Sequence, residues 1–147
     1  MDHVVYLDAK AEELESLLSG QKTMVIRGAT GRKLPYGRVR TGDVLFFINN
    51  NAEGVIRAYA RVKSVINSEP LCLNESEKLI NSCQNRLRLT DAQMKRWTGK
   101  RYLVLVEVEN IQPVDPFPID KSDYGNMDNW LPVGDINRVK LQLQPAE

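Results

Sequence analysis

The chain has 147 residues, 42% of them hydrophobic, enough to bury one core without disulfide or metal staples. Two cysteines and one histidine are too few for a four-ligand zinc site, and a histidine-dependent triad would have only His3 to draw on. The net charge is +1, and the longest apolar runs, such as Val44–Ile48 and Tyr102–Val106, are strand-sized, far short of the roughly 20 residues that cross a bilayer.

The first segment, His3 to Leu7, reads as a strand, after which Asp8 can cap a helix reaching Ser19 with Ala11, Leu14, Leu17 and Leu18 on one face. Gly20 ends it, and Lys22 to Arg27 follows as a strand whose two cations would stand roughly 17 Å apart at about 3.3 Å per residue. That separation suits an extended anion of two or three nucleotides. Residues 28–42 hold four glycines and Pro35, a loop whose backbone can approach a ligand closely. Its GATGRK stretch lacks the Gly-Lys-Ser/Thr ending of a nucleotide-hydrolysing phosphate loop.

Val44–Ile48 and Val55–Val65 flank a turn at Asn49–Gly54 and predict a hairpin. Helical patterning runs over Glu69–Leu87, delayed by Pro70. A second helix starts at Thr90, where Gln93 occupies the capping-box position, and stops at Gly99. Tyr102–Val108 is the most apolar strand. The segment of about 112–130 reads as an acidic Pro/Asp/Asn-rich loop held by Trp130, Leu131 and Val133, before a last strand at Val139–Leu143. Strands outnumber helices without βαβ alternation, so the expectation is one α+β domain over residues 1–147, a mixed barrel with helices between strands.

The charges are sorted along the chain. From Ser16 to Gly42 there are Lys22, Arg27, Arg32, Lys33, Arg38 and Arg40 and no acidic residue; from Tyr102 to Asn137 seven acidic residues face only Lys121. Arg32, Lys33, Arg38 and Arg40 flank Tyr36, supplying charges for phosphates and a ring on which a base could stack. In the strand from Val55, period two places Arg57, Tyr59, Arg61 and Lys63 on one face. That face reads either as a single-strand RNA platform or as an outward barrel face kept soluble by charge. Arg86, Arg88, Lys95, Arg96, Lys100 and Arg101 form a third basic stretch, either a further phosphate contact or the counterpart of the acidic C-terminal segment.

Gly20, Lys22 and Arg27, followed by Gly42-Asp43 before VLFFI, resemble the Gly-x-Lys-x-x-Glu-x-Arg signature and the later Gly-Asp turn of ASCH domains, which belong to the PUA-like superfamily. The resemblance covers about residues 10–110. It implies a mixed β-barrel of about five to seven strands with two to three helices. A branch of that superfamily that deacetylates modified cytidine uses Lys, Thr and Glu, and its Gly-x-Lys-Thr-x-Thr-x-Arg stretch is similar to GQKTMVIR here. Val25 occupies both the signature Glu position and that branch's catalytic Thr position, leaving Lys22 as the carried-over residue, with Asp91 and Thr23 as distant substitutes.

The leading expectation is a cytoplasmic RNA- or polyanion-binding module without cofactor or metal. Its contacts would be Lys22, Arg27, Arg32, Lys33, Tyr36, Arg38, Arg40, Arg57, Tyr59 and Arg61. The alternative is an amidohydrolase of a modified nucleoside such as N4-acetylcytidine, with Lys22 in the catalytic role.

Overall fold

The computed structural model describes residues 1–122, 124 and 129–141. Among them six strands form one curled half-barrel sheet: β1 (Asp2–Leu7), β2 (Met24–Ala29), β3 (Val44–Asn49), β4 (Val55–Asn67), β5 (Tyr102–Pro118) and β6 (Trp130–Gly134). Three helices accompany them, α1 (Glu13–Leu18), α2 (Leu73–Leu87) and α3 (Asp91–Trp97). The strand order is β2-β5-β4-β3-β1-β6, with β1 and β3 parallel and every other neighbouring pair antiparallel. The expected α+β mixed barrel is therefore present, with strand and helix numbers inside the expected ranges.

Alternation decides which side chains enter the barrel. Val5 and Leu7, Leu45 and Phe47, Ala58, Ala60 and Val62, and Val104, Val106 and Val108 fill its interior together with Val25 and Trp130. On the outer face of β2 and β5, Met24, Ile26, Leu103 and Leu105 are covered by Ile80, Cys83 and Leu87 of α2 and Trp97 of α3. A third cluster, Val4, Ile48, Ile56, Leu131, Val133 and Val139, sits beneath the C-terminal segment. No helix among the described residues is long and apolar enough to cross a membrane.

The hairpin β3–β4 and the α3 cap form as the sequence indicates. Gln93 N–H donates to the Thr90 hydroxyl at 3.2 Å while the Gln93 side chain accepts from Thr90 N–H at 3.0 Å. Three elements differ from expectation. The first helix starts at Glu13 instead of just after Asp8, because Asp8 forms a turn by accepting from Ala11 N–H at 3.2 Å and Glu12 takes a left-handed backbone, φ 53°. β5 runs on to Pro118, through what reads as loop. Beyond Glu107 its β2 partner ends and only β4 pairs with it, so Pro113, Pro116 and Pro118 lie where one edge has no ladder to break. Of the last strand, the described part is a single bridge between Ile119 and Lys140; residues 142 and 143 lie outside the described residues.

The half-barrel places β2 and the β1–β6 pair at opposite sheet edges. The candidate site fills the gap between them.

Candidate functional site

Arg27 sits on β2 in the same alternation as Val25, so its side chain enters the barrel instead of facing solvent. It is 7% exposed, and each of its three nitrogens donates one hydrogen bond, which leaves two N–H groups over. Nη2 donates to the Tyr6 carbonyl at 2.5 Å, Nη1 to the Ile26 carbonyl at 2.7 Å and Nε to Asn129 Oδ1 at 3.2 Å. Its Cζ lies 5.7 Å from the Trp130 ring centre. Burial lowers the pKa of this guanidinium against the opposing pull of Glu13, but an arginine remains charged at neutral pH.

That charge is answered by a residue the sequence reading did not select. Glu13, the first residue of α1, is buried, and its Oε2 pairs with Lys22 Nζ at 3.1 Å. Its Oε1 accepts from Asp8 N–H at 3.1 Å. Lys22, 2% exposed, also donates from Nζ to the Leu87 carbonyl at 2.5 Å, closing the C-terminal end of α2. Burial tends to raise the Glu13 carboxyl, but the fields of Lys22 and Arg27 outweigh it and hold it below the ordinary glutamate range. Burial drives Lys22 below the ordinary lysine range, with Glu13 opposing.

The expected separation of Lys22 and Arg27 along one strand is thus corrected. Lys22 precedes β2 and folds back to pair with Glu13, while Arg27 bonds Tyr6, Ile26 and Asn129, so the two cations do not space out phosphates along a strand.

A cavity of about 80 Å³ opens beside this cluster, lined by Tyr6, Asp8, Glu13, Arg27, Asn50, Gln93, Arg96, Trp97 and Asn129. Glu13 and Arg27 reach its wall, whereas Lys22 lies behind Glu13. Its wall therefore offers carboxylate and amide acceptors opposite guanidinium and amide donors, a set suited to a small polar group presenting both kinds of hydrogen bond. Asp91 is exposed in the first turn of α3 and Thr23 is half-buried; neither lines this cavity. Val25, fully buried opposite Val106, brings no hydroxyl or carboxyl to it.

Arg27 also floors a smaller recess under the glycine-rich loop, with Gly28, Gly31, Lys33, Tyr36 and Tyr102 around it. Tyr36 anchors the loop: its hydroxyl donates to the Ser68 carbonyl at 2.6 Å, and its ring meets Tyr102 edge-on at 5.5 Å. Packed in this way, its ring is not the free stacking surface expected of it. Arg32, Lys33, Arg38 and Arg40 are exposed, and among the described residues none of their side-chain nitrogens is within 4.0 Å of a carboxylate oxygen.

Arg57, Tyr59 and Arg61 point away from this site, because Ala58, Ala60 and Val62 between them face the interior that Arg27 shares. Arg57 is tied to Glu53 at 2.6 and 3.0 Å, and Tyr59 leans on Phe46 with ring centres 6.0 Å apart. The strand face and the Arg27 site thus occupy opposite faces of the sheet. At the end of the Pro/Asp/Asn-rich segment, Asn129 holds Arg27 and Trp130 is buried, as its anchoring role requires.

The Gly42-Asp43 turn closes the N-terminus. Gly42 has φ 92°, and Asp43 accepts from Arg40 N–H at 3.0 Å and meets His3 Nε2 at 2.9 Å. His3 Nδ1 accepts from the Trp130 indole N–H at 3.1 Å, which places the neutral ring's proton on Nε2, facing Asp43.

Solved structures share this architecture. ASCH from Zymomonas mobilis superimposes with a TM-score of 0.63 at 16% identity, covering 90% of this chain and 89% of that one. The chain has an ASCH-like fold. A tyrosine-to-phenylalanine variant of the Zymomonas ASCH gives a TM-score of 0.66 at 14% identity over 88% of this chain and 87% of that one. A serine-to-alanine variant gives 0.63 at 16% identity over 98% and 89%. No family model and no curated protein matches the sequence. The ASCH resemblance read from Gly20, Lys22, Arg27 and Gly42-Asp43 is therefore supported by the fold.

Proposed function

We propose that the chain is a cytoplasmic single-stranded RNA-binding domain that seats one base edge in the cavity between Glu13 and Arg27 and holds the adjoining phosphates on the glycine-rich loop. The observation that carries this reading is that Arg27 lines both the small polar cavity and the recess under the glycine-rich loop, whose exposed Arg32, Lys33, Arg38 and Arg40 side chains form no ion pair among the described residues. Cations left uncompensated at the edge of a recess raise the local concentration of a polyanion, and a cavity of about 80 Å³ admits a small group, not a length of chain. Titration of a fluorescent single-stranded RNA at low and moderate salt tests it. Binding that weakens steeply with salt and is lost in Arg38→Ala with Arg40→Ala supports the reading; absence of binding at low salt refutes it.

The buried Glu13–Lys22 pair favours a second reading, hydrolysis of a modified nucleoside such as N4-acetylcytidine. With Val25 unable to serve as nucleophile, water adds to the acetyl carbonyl carbon and gives its proton to Glu13. Arg27 stabilises the oxyanion, and Glu13 returns the proton to the departing amine as the C–N bond breaks, releasing acetate. Acetate release from N4-acetylcytidine that disappears in a folded Glu13→Gln variant supports this reading; no release by the wild-type protein ends it.

A further inference from the structure

The RNA-binding reading places phosphates on the glycine-rich loop alone, but a second segment stands against that loop. We propose that the turn joining α3 to β5 is the other lip of the same site, with Lys100 and Arg101 holding the RNA backbone opposite Arg32 and Lys33; this inference rests on the RNA-binding reading.

Three observations carry it. The turn and the start of the loop are in close contact: a Cβ on Gly28, the residue after Arg27, would lie 3.1 Å from Lys100 Cβ and 2.8 Å from Leu103 Cδ2. The absence of a side chain at Gly28 thus lets the turn carrying Lys100 pack closely against the end of β2 that leads into the loop, on the face it shares with Leu103. The second observation is an aromatic corner shared by both segments. Arg32 and Arg101 bring their Cζ atoms to 5.5 and 5.7 Å from the Tyr102 ring centre, hence within about 11 Å of each other, and Arg32 is also 5.7 Å from the ring of Tyr36. The edge-on contact between the two rings and the Tyr36–Ser68 hydrogen bond fix that corner. Two guanidiniums held near one ring repel each other, and an anion between them relieves the repulsion.

The third observation separates the two uses open to this basic stretch. Arg86 does pair with the acidic strand, with Nη1 2.9 Å from Glu107 Oε2. Arg96, Lys100 and Arg101 have no carboxylate oxygen within 4.0 Å among the described residues. Arg96 instead lies over Trp97, its Cζ 4.4 Å from the ring centre, and lines the Glu13–Arg27 cavity. Arg88 and Lys95 likewise have no carboxylate partner among the described residues, so it is position that singles out Arg96, on the cavity wall, and Arg101, at the Tyr102 ring beside Arg32. The proposed path runs from Arg96 on the cavity wall, along the turn at Lys100 and Arg101, to Arg32 at the shared Tyr102 ring and Lys33 in the recess.

The test compares a dinucleotide with a single-stranded RNA of about eight nucleotides, within the usual site-size range of such grooves. The protein is wild type or carries Lys100→Gln with Arg101→Gln, which keep apolar stems in place. The variant should bind the longer RNA roughly tenfold more weakly at low salt. Its log K against log salt slope should fall by roughly 1.4, at about 0.7 per cation removed, while dinucleotide affinity stays unchanged. Unchanged affinity for the longer RNA, or equal loss on both lengths, overturns the second lip while the loop site stands. If the wild-type protein binds neither RNA, the RNA-binding reading itself fails. Displacement of bound RNA by a poly-glutamate peptide at comparable concentration would instead assign the lip to an acidic protein segment and overturn the proposal.

Discussion

The Arg27 guanidinium donates to the Tyr6 carbonyl at 2.5 Å and thereby joins β2 to β1, strands at opposite sides of an open sheet. No ladder of backbone hydrogen bonds connects β2 directly to β1, so this side chain, with Asn129 as its second anchor, bridges the gap. Arg27→Ala removes charge-assisted hydrogen bonds to Tyr6, Ile26 and Asn129 and leaves their acceptors beside a void. The expected cost is about 3 kcal/mol or more in urea denaturation. Arg27→Lys, which keeps the charge but cannot reach three acceptors in one plane, should recover only a minor part of it.

Glu13 and Lys22 form the second buried relationship, and removing one partner strands the other. Glu13→Gln is expected to cost about 3–5 kcal/mol, because buried Lys22 loses its carboxylate partner and Arg27 loses the field of a nearby negative charge. Lys22→Met should cost less, since Arg27 still faces Glu13. The double variant should be less destabilised than the sum of the singles, a coupling that a double-mutant cycle measures directly.

Much of the frame was legible because its signals were local. Period-two alternation in Val55–Val65 and the Thr90–Gln93 capping box each determine an element within a few residues, and Gly20, Lys22 and Arg27 pointed to the correct fold. The site was less legible, because its decisive contacts join residues distant in sequence. Glu13 carries an ordinary helix-surface residue type in a short helix, and only the return of Lys22 from beyond Gly20 shows that it is buried. The inward turn of Arg27 was readable from its parity with Val25, but a cation on an interior face runs against expectation unless the gap it bridges is known. Prolines ordinarily end strands, so the sequence signals an end to β5 near Val108, and only the sheet order shows that one edge is free beyond it.

Acid should weaken the fold through His3 and Asp43. Burial lowers the His3 pKa in the folded state against the opposing pull of Asp43, so the neutral ring is favoured and its contribution is fully present above the unfolded value of 6.5. That contribution is lost as pH falls below 6.5 toward the folded value, because a second proton on Nδ1 would confront the Trp130 N–H. For Asp43, burial tends to raise the pKa, but hydrogen bonds from His3 and the Arg40 N–H hold it below 3.8. Its contribution is present above 3.8 and declines as pH falls further. Thermal melts should therefore show a first loss below pH 6.5 that His3→Gln abolishes, and a later loss that it leaves in place.

Gly28 links stability to the proposed interface. A methyl group there would stand 2.8 Å from Leu103 Cδ2 in the core and 3.1 Å from the Lys100 stem, closer than carbon atoms pack. Leu103 is fully buried against α2 and α3, so it has little room to withdraw, and the turn carrying Lys100 is the part able to yield. Gly28→Ala is expected to destabilise by about 1–3 kcal/mol, the range for overpacking a dense site. Because the displaced turn carries Lys100 and Arg101, the same variant should weaken binding of the longer RNA while sparing the dinucleotide. Urea denaturation and the two-length titration, run on one preparation, check both halves. Stability loss with intact binding of the longer RNA would show that the turn does not form the second lip.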